Sequence, residues 1–301
     1  MSKANILHHI EGGSATVEEA LMIADCNFEA LTSPVFDHNF QPIAGRMNVY
    51  RDDSEKSLGI HSDNYGVIQY SDAFSIINTV LGEKSATVNA VGSLNNGGGC
   101  MLQAKMPESI EVLKGDNLDV YLYAISAHDG SRSTSAWLSG IRLACTNQMN
   151  AISKEKRAKK TKHYDIRHTR NAKERLDMAQ VLMALEIQCI DTLRENAQIL
   201  ASKSMNRKKT QQFLNRLFPS LEGAKRDGNK LKRDKVEELM EEGKGSEIQG
   251  VQGTAWGAFN AVTEWFDHHS SIRGEGGNRG LRSILDGDTF RAKVFETAMT
   301  V

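Results

Sequence analysis

Cysteine and proline are both scarce, with four of each in 301 residues. The cysteines, Cys26, Cys100, Cys145 and Cys189, stand far apart and form no CxxC pair. That excludes a disulfide-stapled miniprotein and a zinc site of the usual ligand spacing, and leaves buried free thiols as the expectation. No stretch approaches 18 uncharged apolar residues, so no transmembrane helix is expected. The opening MSKANILHHIEGG has no basic region followed by an apolar run, so no secretory signal is expected either, and a cytoplasmic location follows. Nucleotide and nucleophile loops are missing as well. There is no GxxxxGK[ST] and no GxSxG, and the run from Gly274 fails GxGxxG because Arg279 takes the last glycine position. No cofactor is expected.

What remains is an ordinary globular composition, 40% hydrophobic and 25% charged. It suits one large domain or two modest ones. The net charge of −1 hides a polarity: residues 1–120 hold 7 Lys+Arg and 16 Asp+Glu, a net of −9, and the rest carries +8. Charge asymmetry of this kind points to nucleic-acid contact or to an acidic interaction surface. Oppositely charged halves can also pair head to tail between copies, which builds rings or filaments. The competing reading is that the acids merely solubilise the sheet.

The N-terminal half reads as sheet. Thr16 and Glu19 form a capping-box pattern at the head of a helix over 16–25. Strands are expected at 44–51 and 57–70, then a helix at 71–81. Residues 86–93 and 100–107 flank LNNGGG, where Asn and Gly supply the positive φ of a hairpin turn. Residues 118–126 and 131–140 pair across the turn His128-Asp129-Gly130, and 141–152 look helical. The order is α+β: antiparallel sheet with packed helices, followed by a helix-rich C-terminal half. Helices are expected over 171–203, where Leu176, Ala179, Leu182, Met183, Ile187, Ile190, Leu193 and Ile199 make a stripe, and over 206–218, 231–243, 254–268 (amphipathic) and 288–300. Three regions follow: a sheet core with its closing helix (1–153), a basic helical region (154–252), and C-terminal helices packed back on the core (253–301).

Three kinds of site can be weighed. His128-Asp129 could be a catalytic pair, although HDG between strands is also simply a turn. Glu264 lies four residues before His268, on one side of the 254–268 helix, and with Asp267 or Asn260 could hold a metal; a histidine at a helix C-terminus is also favoured by the helix dipole. The basic stretches carry more. Residues 154–175 hold ten Lys/Arg against three acids, and 203–235 hold eleven against three. Lys154, Lys156, Arg157, Lys159, Lys160 and Lys162 fall within nine residues, and Arg167, Arg170, Lys173 and Arg175 follow. Such a field attracts polyanions. His163, Tyr164 and His168 are interleaved and could stack on bases, Tyr164 being the preferred candidate. A solvated basic surface is the alternative reading. Nothing here resembles a base-reading motif, so phosphate contact is the expectation.

Three stretches look familiar together: 118–149, a strand pair across SAHDGS leading into IRLACTNQM; 253–269, GTAWGAFNAVTEWFDHH; and 273–300, where RGLRSILDG runs into FRAKVFETAM. In combination the chain resembles the phage/plasmid-like protein family, also called domain of unknown function 932, over about residues 20–300. Ile141 to Asn147 looks like the family's arginine, cysteine and asparagine core, with Ala144 where a larger apolar residue is more usual. The family name carries no activity. Its element order is similar to that of single-strand annealing proteins of the Rad-fifty-two type, which bind DNA in a basic groove of a ring without ATP. The expectation is therefore a non-catalytic protein of a phage or mobile element, acting in the bacterial host cytoplasm. It would bind single-stranded nucleic acid and anneal strands as a homo-oligomer. Its phosphate contacts would be the ten cations of 154–175, with Arg142 at the sheet-to-helix junction as a further contact or as a buried structural arginine. The alternatives are a metal-dependent phosphoesterase or nuclease using Glu264, Asp267, His268 and His128 or Asp129, and a structural or host-interaction protein.

Overall fold

The hairpin at LNNGGG forms, and the main sheet grows outward from it. In the computed structural model β5 (Thr87–Leu94) and β6 (Gly99–Leu113) meet across a turn in which Asn95, Asn96 and Gly97 all have positive φ. The structure describes residues 6–10, 15–75, 77–78, 87–142, 148–150, 164–177, 189–220, 227–270 and 279–301; the side chains of 142, 148–150, 164, 189 and 279–289 are outside the description. β1 (Ile6–His9) pairs with β5 at one edge, and β7 (Asp116–Ala127) and β8 (Thr134–Arg142) extend the meander on the other side. Beyond β8 lie β9 (Gln148–Asn150) and β10 (Tyr164–Ile166), both paired to it. Every pairing is antiparallel.

A second, three-stranded sheet is made by β2 (Ala30–Phe36), β3 (Pro42–Arg51) and β4 (Ser57–Ser62). The strand expected over 57–70 stops at Ser62, and the chain then turns into a short helix α2 (Tyr70–Ala73). Before this sheet comes α1 (Val17–Ile23), which carries the full capping box: Thr16 Oγ1 accepts from Glu19 N, and Glu19 accepts from Thr16 N at 2.8 Å.

Residues 141–152 do not form the expected helix. Strand β8 runs on through Arg142, and Gln148–Asn150 returns along it as β9, with Ile141 opposite Gln148 and Ser139 opposite Asn150. The local spacing of apolar residues suits a helix, but an open strand edge offers ladder hydrogen bonds, and this tertiary pairing wins.

The described helices of the C-terminal half are α3 (Cys189–Ser202), α4 (Arg207–Leu217), α5 (Gly228–Glu242), α6 (Ala255–Glu264) and α7 (Arg279–Thr300), with residues 172–177 also helical. The last helix starts nine residues earlier than the sequence suggests. α6 is not amphipathic: all ten of its residues are buried. It is the centre of the helical layer, and Trp256 Nε1 donates to Asp116 Oδ2 at 2.7 Å, tying the layer to the start of β7. One continuous apolar cluster runs from Cys100, Leu102 and Ala104 of β6 through Leu193 and Ala197 of α3 to Trp256 and Phe259. The opposite face of the sheet carries a smaller cluster, Leu94, Met101, Tyr123, Ile125 and Trp137. Alternation along the strands puts one set on each face. Among the described residues no helix is long and apolar enough to cross a membrane.

Candidate nucleic-acid interface

The basic region leaves the main sheet and returns to it at one place. Asn150, the last residue of β9, sits opposite Ser139, and Tyr164, the first of β10, sits opposite Ala136. Those two β8 positions are three residues apart, roughly 10 Å at the usual strand rise. Lys154, Lys156, Arg157, Lys159, Lys160 and Lys162 fall between these anchors and lie outside the described residues, as does His163. Arg142 is the last residue of β8, opposite Leu118, and is therefore on a strand rather than at a sheet-to-helix junction. The side chains of Arg142 and Tyr164 lie outside the description.

The other four expected contacts are described. Arg167, Arg170, Lys173 and Arg175 follow β10 directly and all are exposed. Ala172 and Leu176, four apart on the helical turn, are buried, so the side of 172–177 that they occupy is committed to the core and its cations face solvent. Among the described residues none of the four has an ion-pair partner. Other arginines of the chain do: Arg51 pairs with Asp25 and Asp53, Arg233 with Asp227, and Arg291 with Asp267.

A ring cluster that the sequence did not announce holds this segment in place. His168 stacks on Tyr65 with centroids 5.0 Å apart, and Tyr65 stacks on His61 at 4.0 Å. One face of His168 is thus already covered, inside the protein. The hydroxyl of Tyr65 donates to Ala127 O at 3.3 Å, and His61 Nε2 donates to His128 O at 2.8 Å. His168 Nε2 lies 3.2 Å from Thr134 Oγ1. Behind them His128 is fully buried against Tyr70 and Phe28, and among the described residues neither ring nitrogen has a hydrogen-bond partner. Burial pushes the His128 pKa down to about 3, helped by the neighbouring His168, and burial likewise lowers His168 to about 4. Both rings are neutral at pH 7. They position the basic segment; they do not add to its charge. Gly66 makes the same junction at the backbone, for a Cβ there would stand 2.0 Å from Thr169 O.

The hairpin turn beside this cluster is filled. Tyr70 donates to Gly97 O at 3.0 Å, Lys56 to Asn96 O at 3.2 Å, and the amides of His128 and Asp129 to Gly98 O. A Cβ on Gly98 would meet the Asp129 carboxylate at 3.1 Å. A phosphate needs inward N–H groups, whereas this turn spends its carbonyls on the protein and keeps a carboxylate alongside. Asp129 itself accepts from Asn95 Nδ2 at 2.6 Å and from Ser131 N at 2.9 Å, so HDG serves as an Asx turn. Arg51, almost buried, donates to both Asp25 and Asp53 and lies 4.2 Å above the Phe28 ring. Its hydrogen bonds to Asp53 and then Asp25 push its pKa further up, so it stays charged.

The residues of the metal reading are engaged elsewhere. After Glu264 the helix widens into a π-helical turn, Trp265–His269, closed by Ser270 N donating to Trp265 O at 2.8 Å. The i, i+4 geometry expected for Glu264 and His268 is lost: Glu264 is buried and accepts from Lys244 N at 3.2 Å, while His268 is exposed. Asp267 is buried against Arg291, and Asn260 Nδ2 donates to Trp256 O at 2.9 Å. His128 and Asp129 lie past the far end of β7 from the Trp256–Asp116 contact, eleven strand residues or roughly 35 Å away. Among the described residues no three His, Cys, Asp or Glu side chains are grouped to hold a metal ion.

A half-open cleft of about 470 Å³ lies between α4, α5 and the start of α6, lined by Met205, Arg207, Gln211, Glu237, Met240 and Gly257 among others. The segment after β10 is also mixed, with four cations against the exposed Glu174 and Asp177, but its balance is basic.

Over residues 57–285 the chain matches a family model described as Domain of unknown function (DUF932). Neither a curated protein nor a solved structure matches it.

Proposed function

The chain belongs to the DUF932 family, and from that premise we propose that it binds single-stranded DNA and anneals complementary strands without ATP, in the recombination of a phage or other mobile element. One observation carries the reading. Four exposed cations without ion-pair partners among the described residues run on from the sheet edge at β10, and the six further cations of 154–162 are bracketed by anchors on that edge. Glu174 and Asp177 are exposed beside them, so the described segment, with four cations against two acids, carries a net charge of +2, an excess of cations of the kind that attracts a polyphosphate backbone.

In this reading Arg167, Arg170, Lys173 and Arg175 grip phosphates, with Lys154 to Lys162 and Arg142 extending the path and Tyr164 stacking on a base. Several copies, in a ring or filament, align two backbones while the bases pair with each other. The protein supplies charge and geometry, and base pairing supplies sequence.

The test is fluorescence anisotropy with a labelled single-stranded oligonucleotide, in the absence of metal and nucleotide, across a salt series. Four phosphate contacts predict a log–log slope of about −3, and ten predict about −7. From 50 to 200 mM salt the affinity then falls roughly 50-fold or more. Adding the complementary strand should accelerate pairing. An affinity that does not change with salt overturns the proposal. Cleavage of the oligonucleotide that a chelator abolishes would favour a metal-dependent phosphoesterase instead.

A further inference from the structure

The small sheet presents an apolar surface that no other described residue covers. Phe40, at the β2–β3 turn, is 85% exposed, and Phe36 and Ile43 beside it are also exposed. Along the strands Leu31 stands opposite Tyr50, and Ile60 opposite Asn48. These positions share the face turned away from Val49 and Arg51, which are buried. Leu31 and Ile60 are exposed on it. A monomer rarely leaves this many large apolar side chains on one projecting element. The surroundings are acidic: residues 15–72 hold ten Asp/Glu and three Lys/Arg.

Exposed cations lie in the helical half, on α4 and the first turn of α5, ahead of the acids Asp234, Glu237, Glu238, Glu241 and Glu242 that α5 also exposes. α4 exposes Arg207, Lys208 and Arg216, and α5 begins against its end, where Asn229 Nδ2 donates to Pro219 O at 2.8 Å. Next in α5 come Lys230, exposed, and Leu231, which is 72% exposed. Here too an apolar side chain sits unburied, this time among cations.

We propose that the β2–β3–β4 arm of one copy docks on the α4–α5 face of a second copy, head to tail. Phe36, Phe40 and Ile43 supply the apolar contact, and Leu231 receives them. The acidic surroundings of the arm meet Arg207, Lys208 and Arg216, which steers the encounter and fixes its polarity. Because donor and acceptor are different surfaces, a bound pair still offers one free donor and one free acceptor, so the contact propagates into a ring or filament. The annealing proposed above needs such an assembly, and the arm and the α4–α5 face would supply its contact.

Sedimentation velocity of the full chain, without nucleic acid and over a concentration series at low salt, tests it. The wild type should form species larger than the 33.3 kDa single chain, and they should shrink as salt is raised. Phe36→Ser with Phe40→Ser removes the donor, and Arg207→Glu with Lys208→Glu and Arg216→Glu removes the acceptor. All five side chains are exposed, so both variants should fold, which circular dichroism checks. Each variant alone should sediment as a single chain. Mixed one to one they should restore a dimer and nothing longer, since each then contributes its one intact surface. A wild type that stays a single chain at every concentration, a donor variant that associates like the wild type, or a mixture that does not associate would each overturn the inference. None of these results touches salt-sensitive oligonucleotide binding, which is measured separately through the 167–175 cations. A chain that assembles but ignores DNA overturns only the annealing reading.

Discussion

Arg51 and the group Arg167, Arg170, Lys173 and Arg175 carry the same charge in opposite settings. Arg51 is nearly buried, is bonded to two carboxylates and rests on Phe28. Its field is cancelled within a few ångströms and its work is to hold the end of β3 to Asp25, just after α1. The other four stand in solvent on a segment whose inner side is fastened by neutral rings. Their field is spent on nothing inside the described protein. The difference shows that a count of basic residues does not by itself mark a candidate binding surface; the proposed surface rests on cations that are exposed and have no ion-pair partner among the described residues.

Substitutions put this contrast to the test. The largest effect is expected from Gly66→Val, which forces a side chain into the carbonyl of Thr169. Because the obstacle is backbone, the loss should be about 3 kcal/mol in urea unfolding, and oligonucleotide binding should fall with it, since the cations lose their support. Next, changing all four of Arg167, Arg170, Lys173 and Arg175 to Gln should leave stability within about 0.5 kcal/mol. It should weaken binding roughly tenfold or more and make the salt slope shallower by about 3. Arg51→Gln should do the reverse: binding unchanged and stability lower by about 1.5 kcal/mol, less than for a fully buried pair because Asp25 and Asp53 are open to water once released. If Arg51→Gln costs binding and the fourfold variant costs stability, the contrast is wrong.

The smallest effect concerns the rings. His128 and His168 have folded-state pKa values below the unfolded value of about 6.5. The unfolded chain therefore binds protons first, and stability should drop as pH falls from 6.5 towards 4. Each histidine contributes up to about 1.4 kcal/mol per pH unit in that window. His128→Phe should flatten the slope measured by urea midpoints at pH 7 and 5. At pH 7 it should be neutral or stabilising by about 1 kcal/mol, because a buried ring with two unpartnered nitrogens is replaced by an apolar one.

Local chemistry made part of this molecule legible. The LNNGGG turn, the capping box at Thr16 and the helix expected over 206–218 follow from neighbours in sequence, and all three form. What escaped depends on distant partners. β1 and β2 are short and lie against other strands, and β9 and β10 exist because β8 leaves an edge open. α6 gave an amphipathic reading because its polar Asn260, Thr263 and Glu264 are satisfied inside the core, which no spacing rule reveals. The histidine cluster is the extreme case. His61, Tyr65, His128 and His168 come from four separate segments, and of these only His128, in HDG, and His168, as a candidate base-stacker, drew notice in the sequence. The exposed cations after β10 were readable as charge, but their lack of ion-pair partners among the described residues was not.

The bond between Trp256 and Asp116 has a consequence in time. Its two ends are 140 residues apart in the chain, so the ribosome delivers the start of β7 well before the helix that will cover it. At roughly 5–20 residues per second that interval is about 7 to 28 s. β8 is finished 26 residues after Asp116 and α3 follows from Cys189, so the part of the apolar face that α6 covers is the last to be closed. Nascent chains of this protein should accordingly depend on holding chaperones more than their finished stability would suggest, and a slow codon stretch ahead of Trp256 should lower soluble yield.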